Sequence, residues 1–388
     1  MNVLFVSECY PSKEKKYYCI YLEQQAIALK KRGVDVEILV PYVTDENLLG
    51  ITSEMLNGIH VMRMACHYSK GKARAFIQPY SCNLKAIQWN KYDVVSFHLC
   101  SIFLEKMVMN ECKGAKVKTA KHIHGVNVWR EQCKINGFIR NIHNRIEKWI
   151  CKRNYSQMDA IICVSELAKT VVEQKLRTVP TYVVYNGVDI NKFVPQIQKH
   201  NSVFTVLCVA NFIEIKGQKY LVDAVAKEVT DGIPIRLQLI GVGKDIDAIK
   251  QQCAKLDIEE NVEFLGAKDY PDVANYMRMA DLFIMPSYAE SFGCVYLESM
   301  SSGTVTCACY DNNGATEFIR NRENGFLVKG QNSDDIKRVI DFVMSNPEES
   351  KVIAESGVKT AAKFTWANSA EKLESVYKKI ICNDKEEK

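Results

Sequence analysis

Two glutamates eight residues apart, Glu290 and Glu298, stand in the run Pro286-Ser-Tyr-Ala-Glu290-Ser-Phe-Gly-Cys-Val-Tyr-Leu-Glu298. The run follows Asp281-Leu-Phe-Ile-Met285, an apolar string that reads as a buried strand. A strand, a tight loop and a helix start make a ligand site at the edge of an α/β sheet. Ser291, Phe292 and Gly293 would offer backbone N–H groups at that helix start, which suit phosphate. At about 3.6 residues per turn, both acids can line one side of the site. A carboxylate can take two sugar hydroxyls at once. The pair therefore points to a polyhydroxylated or a cationic ligand.

Other residues carry compatible chemistry. Lys216-Gly217 follows an apolar string ending at Ala210 and the loop from Asn211 to Ile215. A lysine just before a helix start is a point charge for phosphates. Gly241 and Gly243 form a strand-to-turn pair that allows close backbone approach, without completing a GxGxxG fingerprint. Asn313-Gly-Ala-Thr-Glu317 is another glycine loop, expected to offer N–H groups to a diphosphate. His98 and His124 each end a strand. No third or fourth ligand is read at a useful spacing, so no metal site is expected.

These residues need elements to hold them. Apolar strings at 2–7, 34–41, 59–64, 93–97, 117–123, 160–164 and 181–185 read as strands, mostly with helical segments between. A second set follows at 203–210, 235–240, 262–265, 281–285, 304–309 and 325–328. Helices are expected at 218–229, 246–255, 270–279, 298–302, 315–320, 333–344 and from Trp366 to about Ile380. Such alternation means mostly parallel, doubly wound sheets. The polar stretch Asp189–Asn201, with Pro195, reads as an interdomain linker. A length of 388 residues suits two domains. The expected layout is an N-terminal Rossmann-like domain over 1–195 and a second over 196–365. The natural site is a cleft where the two face each other.

Bulk properties exclude several classes. A net charge of +5 is mild and no reason to expect nucleic acid. The fifteen cysteines form no CxxC pair and lie partly in apolar strings, which suits buried thiols in a reducing compartment. The first residues lack a basic leader and a long apolar region, and no window reaches the ~20 apolar residues of a spanning helix. A cytoplasmic enzyme is expected. Residues 113–153 hold eleven Lys or Arg against Glu131 and Glu147, with Trp129, Phe138 and Trp149 interleaved. That composition fits an anionic membrane surface, as well as a solvated face or nucleic-acid binding.

Taken in order, these motifs resemble a retaining glycosyltransferase of family 4, with the GT-B fold. The resemblance runs over nearly the whole chain: Asn186-Gly-Val-Asp-Ile-Asn-Lys-Phe193, Lys216-Gly217, Ile240-Gly-Val-Gly243, Glu290 to Glu298, Asn313 to Glu317, Asn324-Gly-Phe-Leu-Val328 and Phe364-Thr-Trp366. It implies a UDP- or GDP-sugar donor, no cofactor and no metal. Glu298 would hold the ribose, and Glu290 the sugar being transferred. Ser291, Phe292 and Gly293 would bind through their backbone, Lys216 would neutralise the diphosphate, and the backbone near Gly266 would meet the base. His124 would contact the donor sugar, and the helix 366–388 would cross back onto the first domain. The acceptor would be a glycan or lipid-linked sugar, as in surface polysaccharide assembly at the inner face of the plasma membrane.

Three positions depart from the family pattern. Asn211 stands where an arginine is usual, Cys19 where a glycine is usual, and Asn127 where an acid is common. A retaining reaction implies front-face attack by the acceptor hydroxyl, with the leaving diphosphate taking the proton and Lys216 stabilising its charge. The competing readings are a nucleotide-sugar 2-epimerase or a sugar phosphorylase of similar fold, and a non-catalytic nucleotide-sugar-binding module.

Overall fold

A computed structural model describes residues 1–12, 18–44, 50–68, 80–125, 149–176, 178–196 and 203–382. The chain divides into two compact units, Met1–Tyr185 with Trp366–Lys388, and Asn186–Thr365.

In the first unit the strands are β1 (Asn2–Val6), β2 (Asp35–Val43), β3 (Ile51–Leu56), β4 (Ile59–Tyr68), β5 (Tyr80–Cys82), β6 (Val94–Phe97), β7 (Lys118–Ile123), β8 (Ala160–Cys163) and β9 (Thr181–Val183). Their order is β3-β4-β2-β1-β6-β7-β8-β9, with β5 on the edge of β4. From β4 to β9 neighbouring strands run parallel. Val3, Leu4, Phe5 and Val6 of β1 are all buried, because a central parallel strand is covered on both faces and reads as one apolar run. The helix Trp366–Cys382 completes this unit's core with Leu373, Val376, Tyr377 and Ile380. It packs on the helix Ile20–Lys31, where Arg32 Nε donates to Glu374 Oε2 at 2.7 Å.

β3 and β5 lie outside the expected strands and pair antiparallel with β4. The β3–β4 hairpin turns at Asn57-Gly58, both with positive φ. Asn-Gly is the usual signal for that turn.

The second unit holds β10 (Phe204–Val209), β11 (Ile235–Ile240), β12 (Val262–Gly266), β13 (Leu282–Met285), β14 (Val305–Cys309) and β15 (Phe326–Val328), in the order β12-β11-β10-β13-β14-β15. All neighbours are parallel. The order reverses between β10 and β13. Ligands commonly bind at such a switch point, at the carboxyl ends of the strands. Here the loops leaving β10 and β13 touch, with Tyr288 N–H donating to the Ile215 carbonyl at 3.1 Å.

Local differences from the sequence expectation have physical causes. The second unit begins at Asn186, ahead of the boundary expected at residue 196. Val188 N–H donates to the Phe364 carbonyl at 2.8 Å, and Ser301 Oγ donates to the Phe193 carbonyl at 2.6 Å, which ties this stretch to the second unit. The expected helix over 315–320 is only a 3-10 turn, Gly314–Glu317, because Asn313 Oδ1 accepts from Ala315 N–H and holds a tight bend. A further helix, Pro347–Ala361, starts on a proline, which suits a first helical position.

Candidate functional site

Lys216 ends a 3-10 turn, Glu214–Lys216, on the loop that leaves β10. Glu290 lies on the loop that leaves β13. Lys216 Nζ donates to Glu290 Oε2 in a close ion pair. Both side chains keep about a fifth of their surface exposed, 20% and 19%. The pair thus sits at the reversal of strand order, in reach of solvent.

The backbone fixes Glu290. Its N–H donates to Asn312 O at 3.1 Å, and its carbonyl accepts from Gly314 N–H at 2.9 Å. Asn313 is buried and braces the loop through Nδ2, which donates to Ser287 O at 3.1 Å and to the Tyr296 hydroxyl oxygen at 3.2 Å. The expected phosphate-binding role of the Asn313–Glu317 loop does not fit this arrangement. The N–H groups of Gly314, Ala315 and Thr316 are all taken by Glu290 and Asn313. The loop is a strut for Glu290.

Gly293 precedes the helix Cys294–Ser301 with φ 82°, and no side chain caps that helix start. A Cβ at Gly293 would come within 2.5 Å of the Tyr296 ring. The helix starts four residues earlier than its expected start at Glu298. Phe292 is buried against Phe318 and Phe364, with ring centroids 5.3 Å and 6.3 Å away, so only its backbone is available to a ligand. Ser291 is also buried.

Glu298 lies inside this helix and is half-buried. The Tyr270 hydroxyl donates to its Oε1 at 2.8 Å. Burial pushes the Glu298 carboxyl up to about 7, while the Tyr270 hydrogen bond and Lys192 pull it down. Lys192 Nζ lies 4.7 Å from the Tyr270 ring centre, and Phe193 packs edge-on to that ring at 4.9 Å. Cys294 feels both Glu298 and Glu290, and burial pushes its thiol up. Sequence reasoning assigned no role to Tyr270 or Lys192. They reach Glu298 from separate segments, and no spacing rule links them to it.

Gly241 and Gly243 follow β11. A Cβ at Gly241 would lie 2.0 Å from the Ala210 carbonyl oxygen, so glycine is required for the loops after β10 and β11 to touch. Gly266 ends β12 and accepts from Gly241 N–H at 2.8 Å. Asn211 is exposed just after β10, its carbonyl accepting from Gln218 Nε2 at 3.0 Å.

In the first unit, His98 Nδ1 and His124 Nε2 share a hydrogen bond at 3.1 Å. A third imidazole, His122, joins them, contrary to the expectation that no third ligand was placed. The ring planes lie within 20–25° of parallel at 4.1–5.7 Å. Their ligand atoms lie within 4.8 Å of one another. The three rings stack with two of their nitrogens facing each other, and their spacing is one that could hold a metal ion. Burial lowers His124 to about 3 and takes His98 and His122 well below their ordinary value, with Lys121 adding repulsion. His122 Nε2 lies 3.3 Å from the Tyr377 hydroxyl, which donates to Ser96 Oγ at 2.9 Å.

Cys19 has φ 55° and ψ 37°. The position where a glycine was expected keeps the left-handed backbone that glycine favours. Asn127 and most of the basic segment, residues 126–148, lie outside the described residues. No helix among the described residues is long and apolar enough to cross a membrane.

Comparison with known proteins gives two family matches. "Glycosyltransferase Family 4" matches residues 20–192 and "Glycosyl transferases group 1" matches residues 189–379. An uncharacterized glycosyltransferase of Methanocaldococcus jannaschii is 29% identical over 233 residues, covering 60% of this chain and 63% of that protein. A second from the same organism is 25% identical over 403 residues, covering 97% of this chain and 98% of its own length. Among solved structures, sucrose-phosphate synthase from Thermosynechococcus elongatus superposes with a TM-score of 0.78 at 18% identity, covering 99% of this chain and all (100%) of its own. HepE from Anabaena, solved in complex with UDP and glucose, has a TM-score of 0.74 at 19% identity, covering 98% of this chain and 100% of its own.

Proposed function

We propose that this chain, which has the GT-B fold and matches the family 4 and group 1 glycosyltransferase models over successive halves, is a glycosyltransferase that moves a hexose-type sugar, with retention, from a UDP- or GDP-sugar to a hydroxyl of a glycan or lipid-linked acceptor. The observation that carries this reading is the Lys216–Glu290 pair at the reversal of strand order. A cation, a carboxylate and an uncapped helix start converge there. A diphosphate needs the cation and the helix start, and a sugar needs the carboxylate.

In this reading the diphosphate lies against Lys216 and the backbone at Ser291–Gly293. Glu290 then releases part of its hold on Lys216 and orients the sugar. Glu298, set by Tyr270, takes the ribose hydroxyls. Gly241, Gly243 and Gly266 let the nucleotide approach the backbone. His124, held neutral, contacts the donor sugar. The acceptor hydroxyl attacks on the face from which the diphosphate leaves, and the diphosphate takes its proton. Lys216 stabilises the charge that develops on the leaving oxygen. UDP in the Anabaena HepE complex supports a uridine donor.

The acceptor reading draws on the basic composition of residues 113–153. A lipid-linked acceptor would hold the enzyme at the anionic inner face of the plasma membrane, in assembly of a surface polysaccharide. Flotation with anionic liposomes at low salt tests this, and protein left at the bottom of the gradient would remove it.

The donor is tested by thermal shift across a panel of sugar nucleotides, followed by release of UDP or GDP. Selective stabilisation by one donor, with release in the presence of an acceptor, is expected. Stabilisation without turnover on any acceptor would favour a binding module instead. The anomer seen by NMR in the first product tests retention.

A further inference from the structure

Cys66 and Cys82 face each other directly across the antiparallel β4–β5 pair. Directly opposed residues place their Cβ atoms about 4.5–5.5 Å apart, next to the separations that disulfides span. Their sulfurs are 2.9 Å apart, with the Cys66 thiol donating to Cys82. Cys66 also contacts the Met64 carbonyl at 3.7 Å and is buried, whereas Cys82 is half-buried. The two are sixteen residues apart in sequence, and both are reduced. Neither takes part in the proposed transfer reaction.

We propose that Cys66 and Cys82 form a redox-active dithiol, oxidised to an intramolecular disulfide by a low-molecular-weight disulfide.

The two cysteines take different parts. A thiol donating to a neighbouring sulfur favours the thiolate on the acceptor. Accordingly Cys82 is lowered from the usual thiol range chiefly by Cys66, against burial and Glu8, while Cys66 is raised. Cys82 is also the more accessible of the two. It attacks one sulfur of the small disulfide, whose S–S bond breaks and releases one thiolate. That thiolate takes the Cys66 proton. Cys66 then attacks the Cys82 sulfur and expels the second small thiol. Two protein thiols are oxidised, and one small disulfide is reduced to two thiols. The bond pins the three-residue strand β5 onto β4 and closes the intervening chain.

The probe is oxidised glutathione on the full chain, followed by alkylation, digestion and mass spectrometry. A peptide linking Cys66 to Cys82 is expected, cleaved by dithiothreitol, with a melting temperature several degrees above that of the reduced protein. Cys66→Ala should stop the reaction halfway and leave glutathione on Cys82. Cys82→Ser should leave Cys66 fully alkylatable. The proposal is overturned if glutathione persists on Cys82 in the unsubstituted chain, if both residues remain alkylatable, or if either pairs with another cysteine. The readout on the unsubstituted chain stands even if a variant fails to fold.

Discussion

Lys216 and Glu290, 74 residues apart in the chain, meet in an ion pair because β10 and β13 are neighbours at the point where strand order reverses. Each is the other's counter-charge, so a donor diphosphate has to compete for Lys216. Lys216→Ala should lower kcat for sugar transfer by about 100–1,000-fold, the range for losing one group that stabilises developing charge. Its melting temperature should change little, since a partly exposed pair contributes at most ~1 kcal/mol. Nucleotide release and a thermal melt measure the two. A variant that loses stability and activity together would mean that the lysine serves the fold.

Donor binding should depend on pH through Glu298. Its carboxyl is lifted from 4.5 to about 7, first by burial. Ionised, it accepts ribose hydroxyls, so donor affinity should rise between pH 6 and 8 and then level. Stability runs the other way. The unfolded chain ionises Glu298 near 4.5 and the folded chain near 7. The contribution is full below 4.5 and is lost as pH rises through 7. Glu298→Gln should flatten both curves. Tyr270→Phe removes a hydrogen bond to the ionised form, so the midpoint of the affinity curve should move up. Calorimetric titration of the donor across pH reads both effects.

The histidine stack should make the protein sensitive to acid. His98, His122 and His124 would protonate near 6.5 when unfolded and far lower when folded. Stability present above pH 6.5 is therefore lost as pH falls. His98→Asn keeps an amide nitrogen near the ring position that bonds His124, and should hold activity within about threefold. His98→Phe keeps the stacking without the bond, and should lose about tenfold, the worth of a hydrogen bond of ~1.4 kcal/mol. Equal activity in the two variants would show that the bond does not orient His124.

Cys19 offers a backbone test. A left-handed conformation costs a non-glycine residue about 1–2 kcal/mol, and glycine gives back about 0.5–1 kcal/mol through its looser unfolded state. Cys19→Gly should leave the melting temperature level or raise it slightly. Cys19→Val should lower it, since branching at Cβ worsens the same strain. A fall with glycine would show that the thiol itself holds the loop.

The parallel strands were legible because each is a short apolar run between turn residues, as Val3–Val6 and Leu282–Met285 show. The edge strand β3 was missed because its alternating burial is weak, although Asn57-Gly58 marked its hairpin. The placing of Lys216 and Glu290 on loops after strands was legible because each follows an apolar run. Tyr270 and Lys192 were not, since their relation to Glu298 exists only once separate segments pack together. The Asn313 loop misled for a related reason. A glycine-rich loop looks the same in sequence whether its N–H groups face a ligand or brace a neighbouring loop.

The return of the helix Trp366–Cys382 to the first unit sets an order of maturation during synthesis. The second unit, Asn186–Thr365, is one continuous stretch and can close as soon as it leaves the ribosome. The first unit, begun earlier, must wait for Leu373, Val376 and Tyr377 to cover Phe5, Leu29 and Ile162 in its core. Its apolar face stays open while the whole second unit is made. A released chain truncated after Thr365 would carry a complete second unit beside a first unit whose apolar face stays open, the state most prone to aggregate.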